Sequence, residues 1–146
     1  MDGVPSGSRA SRASRASNAS AATPQIRKLG IRPGHRVCLV AAPRGWRLTD
    51  PPQIVRAAAG PADVLLWFVR ESAALADVPA HAERIFPAGA MWIAWPRRAA
   101  GHLSDVTENA IRDAVLPLGL VDVKVAAIDD DWSGLKIVWR TENRVR

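Results

Sequence analysis

Three unbroken apolar runs constrain this chain more than any other feature of it. Arg36-Val-Cys-Leu-Val-Ala-Ala42, Asp63-Val-Leu-Leu-Trp-Phe-Val-Arg70 and Gly89-Ala-Met-Trp-Ile-Ala-Trp95 carry apolar side chains at consecutive positions. A strand sends successive side chains to opposite faces, so a run without polar alternation is a strand covered on both. Each run is shorter than an ordinary buried helix and is bounded by a breaker: Pro33-Gly34, Gly60-Pro61 and Pro96. Strands of this kind belong to a parallel sheet with helices on its two faces.

Between the runs the period changes. Leu75, Val78, Ala82, Ile85 and Phe86 fall at helical spacing, and Pro79 predicts a kink or a fresh start. A second helix is expected after residue 104, capped by Ser104 or Asp105, since Asp105 and Glu108 have capping-box spacing. Ile111, Val115 and Leu118 would be its buried stripe, closed by Pro117-Leu-Gly119. Gln53 to Ala58 is a weaker strand, and Val121 to Ile128 a further one. Asp129 to Gly134 has turn composition, and Leu135 to Arg140 alternates. A connection that short cannot be a crossover, so the last two strands pair antiparallel. The expected fold is α/β: a small Rossmann-like, mostly parallel sheet flanked by helices and ending in an antiparallel hairpin. The methyltransferase version of this fold ends the same way.

Ser, Ala, Arg, Gly and Pro dominate residues 1–24, with Ser-Arg-Ala three times over 8–16. Nothing there can bury a face, so this tail is expected to be disordered and dispensable. It reads as a transit-type leader, a short basic arm or an over-extended start. Residues 25–146 are the size of one domain. The longest apolar run, Val64 to Val69, is far short of a membrane span, and one cysteine excludes an internal disulfide. The net charge is +6, with 17 Arg and three Lys. That bias reads as genome composition, and nucleic acid is not the expected partner.

Ligands of open parallel sheets bind beyond the carboxyl ends of the strands. Here those ends run into Arg44, Gly45 and Trp46, into Arg70, into Trp95, Pro96, Arg97 and Arg98, and into Asp129, Trp132 and Ser133. Guanidinium groups suit phosphate or carboxylate and indoles suit a flat ring, so an anionic, nucleotide-like ligand is one reading of this rim. The other is solvated Arg and core Trp. The standard fingerprints are missing: Ala41-Ala42-Pro43-Arg44-Gly45 stands where G-x-G-x-x-G would, and Pro43 has no N–H for a phosphate. Nicotinamide and adenosylmethionine are disfavoured, and no cofactor is expected. His35, His81 and His102 lack paired metal-ligand spacing, so no metal is expected, and Cys38 reads as inert core.

Leu29 to Gly34, Trp92 to Arg98, Asp105 to Arg112, Gly119 to Val125 and Trp132 to Leu135 together resemble a bacterial family catalogued as domain of unknown function 3052. The resemblance covers residues 27–140. It implies a small cytosolic protein of Rossmann-like shape, with no assigned reaction and hence no catalytic residue. It also implies that the loop Trp95 to Arg98, the helix start Thr107-Glu108 and the turn Asp129 to Leu135 are family features. The segment after the first strand is shorter than in members, so the first crossover helix is expected to be lost or reduced. Three functions follow as expectations. The first is a non-enzymatic binding or regulatory module, with an anionic ligand or protein partner at the rim. The second is a small methyltransferase-like transferase lacking its Gly-rich loop, and the third an oligomerising scaffold.

Overall fold

The structure, a computed structural model, describes residues 23–146. Residues 1–22 of the expected tail lie outside the described residues. The sheet has six strands: β1 (Arg36–Val40), β2 (Val55–Arg56), β3 (Val64–Phe68), β4 (Ala90–Pro96), β5 (Leu120–Ala127) and β6 (Trp132–Trp139). Their spatial order is β2-β1-β3-β4-β6-β5. The first four are parallel, whereas β6 runs antiparallel to both β4 and β5. Two reversals restore the direction, so β5 points the same way as β1, β3 and β4. This is the expected α/β sheet with its antiparallel ending.

Each face of the sheet has its own core. One is covered by the 3-10 turn Ser72–Asp77, α2 (Val78–Arg84) and α3 (Glu108–Val115), which pack on Cys38, Leu65, Trp67, Met91, Ile93, Leu135 and Ile137. The other holds Val37, Leu66, Phe68 and Trp92 beneath α1 (Gln25–Leu29) and the segment after β1. All five residues of β3 are buried, as an unbroken apolar run requires. Buried indoles still need a partner for their N–H. Trp92 Nε1 donates to the Leu29 carbonyl at 3.1 Å and fastens α1. Trp139 Nε1 donates to the Ala82 carbonyl at 3.0 Å and ties β6 to α2. Gly89 has no room for a side chain, since a Cβ there would lie 2.6 Å from the Ala62 carbonyl oxygen.

Several local expectations are corrected. Thr107, not Ser104 or Asp105, caps α3, its Oγ1 accepting from the Ala110 N–H at 3.0 Å. Asp105 is instead drawn to Ser72, and Ser104 to the Arg70 carbonyl. Leu118 lies beyond the helix and is 39% exposed, so the buried stripe is Ile111 and Val115 alone. Val40, at the end of β1, is half-buried and packs against the edge of the core. Trp132, Ser133 and Gly134 belong to β6 rather than to the turn, because β6 pairs with β5 as far as Ser133 opposite Ala127 and with β4 as far as Trp132 opposite Pro96. Pro79 stands in the first turn of α2, the fresh start being a change from 3-10 to α. Residues 41–54 form no helix, so the first crossover is irregular chain.

Candidate functional site

The rim at the carboxyl ends of β1, β3, β4 and β5 is tied together by Asp129. Its Oδ1 accepts from the backbone N–H of Asp131 (2.8 Å) and Trp132 (2.9 Å), closing the β5–β6 turn. Its Oδ2 accepts from Trp46 Nε1 at 2.8 Å, which fastens the loop after β1 to that turn. The Arg97 guanidinium donates to the Asp130 carbonyl at 3.2 Å, and the Arg97 N–H to the Asp131 carbonyl at 2.8 Å. The loops after β1, β4 and β5 therefore meet on one edge.

Several residues expected to hold a ligand are committed to this framework. Trp46 and Trp132 flank Phe68 edge-on, each with ring centroids 4.9 Å apart, and Trp132 is buried. Arg70 lies over the outer side of Trp132, 5.0 Å from its ring centre. Trp95 is half-buried against the core under α2 and α3, and Pro96 and Ser133 sit in the β4–β6 ladder. Thr107 caps α3, and Glu108 binds Arg112 at 2.9 Å. Arg44 and Gly45 are exposed at the tip of the loop after β1. Gly45 has a left-handed φ of 75°, in a turn where Trp46 N–H donates to the Pro43 carbonyl at 3.0 Å. Trp46 and Leu48 fold back over the sheet from there, so no helix N-terminus faces the end of β1.

The open space on the rim lies one position further along. A cleft of about 1120 Å³ separates the end of β3 from the β4–α3 loop. Arg70, Glu71 and Ala73 form one wall. Arg98, Gly101, His102, Leu103, Ser104 and Asp105 form the other. The walls are pinned where they meet. Ser104 Oγ donates to the Arg70 carbonyl at 2.8 Å. Asp105 accepts from Ser72 Oγ (2.6 Å) and from the Ser72 N–H (2.8 Å). The Ser72 hydroxyl, and next its backbone N–H, hold the Asp105 carboxyl below the usual aspartate range. His102 Nε2 meets Asp131 Oδ1 at 2.9 Å, which orients the ring. Among the described residues, the side chains of Arg70, Glu71 and Arg98 take part in no hydrogen bond or ion pair, and the Arg70 guanidinium lies over the Trp132 ring.

Of the expected site residues, then, the cleft holds Arg98, with Arg70 opposite. Arg97, Trp46, Trp132 and Asp129 build the neighbouring rim and do not line the cleft. Glu71, His102, Leu103, Ser104 and Asp105 line it without having been singled out as ligand contacts. Their signal was positional, since they lie in the segments that follow β3 and β4. The capping reading of Ser104 and Asp105 and the unpaired spacing of His102 concealed it. Among the described residues no three of His, Cys, Asp and Glu gather as metal ligands would, and no helix is long and apolar enough to cross a membrane.

No protein-family model matches the chain, and no curated protein matches it. Among solved structures it is similar to the magnesium protoporphyrin IX methyltransferase of Synechocystis PCC 6803 with bound SAM. That match has 12% identity and a TM-score of 0.50, covering 80% of this chain and 74% of that one. It is also matched with a fibrillarin/Nop5p complex at 12% identity and a TM-score of 0.46, covering 75% of each chain. The first likeness places the fold among Rossmann-like, methyltransferase-like α/β sheets.

Proposed function

We propose that the protein is a non-enzymatic binding or regulatory module that takes an anionic, nucleotide-like ligand at the carboxyl rim of its sheet, with Arg70 and Arg98 as the anion holders. The observation that carries this reading is the open cleft of about 1120 Å³ bearing two guanidinium groups free of carboxylate partners among the described residues. A guanidinium presents a planar fork of donors that suits phosphate or carboxylate oxygens. A cytoplasmic location and membership of the domain-of-unknown-function-3052 family belong to the same proposal.

A second reading, a small methyltransferase-like transferase, is supported by the likeness to the Synechocystis methyltransferase fold. Against it stands the end of β1. Residues 41–54 carry no helix, Pro43 lacks an N–H, and Trp46 is fastened to Asp129 there. A cofactor bound in the usual manner of this fold would need backbone donors in that place. A thermal-shift screen with nucleotides, acyl-CoA and adenosylmethionine separates the two readings, because a ligand of the native state raises its melting point. The module reading expects nucleotides to act, and Arg98→Ala to abolish their effect. A shift with adenosylmethionine alone, insensitive to Arg98→Ala, would favour the transferase.

A further inference from the structure

We infer that the ligand of the rim cleft is a phosphorylated polyol, a phosphomonoester whose hydroxyl groups are recognised beside its phosphate. The inference rests on the anion-binding reading of the cleft and narrows it. It comes from the carboxylate that shares the walls with the two guanidinium groups.

Glu71 directly follows Arg70 and lines the same wall. Its carboxylate has no hydrogen-bond or ion-pair partner among the described residues, unlike Asp105, whose two oxygens are taken by Ser72. An ionised carboxylate can only accept hydrogen bonds. Beside a bare anion it is repulsive, so a cleft built for inorganic phosphate or sulfate would not place it there. Beside a ligand that also carries O–H groups it supplies the missing acceptor.

The two oxygens of one carboxylate can accept from two neighbouring hydroxyls of a single ligand. The cleft thus combines two cations for a phosphate with a carboxylate for hydroxyls. A methyl phosphate would satisfy the cations and leave the Glu71 carboxylate without a partner.

The test compares the dissociation constants of ribose 5-phosphate and methyl phosphate, measured by calorimetry on the full chain, for the wild type, Glu71→Ala and Arg98→Ala. Two hydroxyl hydrogen bonds to the Glu71 carboxylate should make ribose 5-phosphate bind at least about tenfold tighter. Glu71→Ala should shrink that ratio without weakening methyl phosphate. Arg98→Ala should weaken both compounds together. Both variants replace exposed side chains, so their melting points should stay at the wild-type value. Equal affinity of the two compounds for the wild type would overturn the polyol inference while leaving the anion site intact. Absence of binding by either compound would overturn the anion site itself, and the inference with it.

Discussion

Replacing Asp129 by Ala should unfasten the rim. The carboxylate accepts three hydrogen bonds: Trp46 Nε1 at 2.8 Å, Asp131 N–H at 2.8 Å and Trp132 N–H at 2.9 Å. Hydrogen bonds to a charged group contribute about 1.5–3 kcal/mol each where water cannot replace them. That condition holds in part for Trp46 and Trp132, and fails for the exposed Asp131 amide. The cost of Asp129→Ala is therefore about 2–4 kcal/mol, less than the sum of three such bonds. Asn is an informative intermediate. Its one oxygen can serve either the two amides or the indole, while its NH₂ group opposes whichever donor is left. Trp46→Phe removes the indole N–H and keeps most of the contact with Phe68. Urea denaturation of the two single variants and the double variant closes a thermodynamic cycle, in which a coupling of about 1 kcal/mol or more is expected. A cost below about 0.5 kcal/mol for Asp129→Ala, or strict additivity in the cycle, would refute the view that this carboxylate joins the loops after β1 and β5.

Other expectations follow from the same structure. Arg97 and Arg98 should separate by phenotype: Arg97→Ala should lower stability by about 1 kcal/mol, since its guanidinium binds the Asp130 carbonyl, and leave ligand response intact. Arg98→Ala should do the reverse, as read by melting point with and without a nucleotide. Leu65→Ala should cost about 2–5 kcal/mol in denaturant unfolding, because Leu65 is wholly buried at the centre of the sheet. Gly89→Ala should cost about 1–3 kcal/mol, since its Cβ would press on three backbone carbonyl oxygens, the nearest at 2.6 Å. His81 supplies a pH dependence. Burial beside Trp67, and then the Arg84 charge, lower its pKa below 6.5, with Asp77 opposing. The unfolded chain therefore takes up this proton first. The contribution of His81 is whole above pH 6.5 and is lost as pH falls toward its folded-state pKa. His81→Phe should flatten the fall in melting point between pH 7 and pH 5. An unchanged slope would contradict the assignment.

The parts of the fold that were legible are those where burial dictates residue type. β3 and β4 announce themselves because both faces are covered, which forbids polar residues at any phase. The antiparallel ending follows from the length of its connection alone. The misread parts are those where one residue type serves two roles. Ser104 and Asp105 have the chemistry of helix caps, yet tertiary partners claimed them: the Arg70 carbonyl and Ser72 are more than 30 positions away in the chain. Thr107, the cap in fact, had the same chemistry closer to the first helical residue. The candidate site was legible as an edge and not as a cavity. Sequence places Arg70, Arg97 and Arg98 at strand ends. Only packing decides that Arg97 turns to the backbone of the acidic turn while Arg98 faces open space. The indoles mislead for a related reason: Trp132 is buried and Trp46 half-buried, and both pack edge-on against Phe68.

The central claim, that the ligand site is the cleft between the end of β3 and the β4–α3 loop, is tested most directly by backbone amide resonances. In a titration of the ¹⁵N-labelled protein with adenosine 5′-monophosphate, shifts should concentrate at residues 70–73 and 98–105, the two walls of the cleft. Residues 41–46 should stay still, held by the Trp46–Asp129 bond. Shifts centred on residues 41–46 would contradict the account and return the site to the cofactor position of the methyltransferase-like fold.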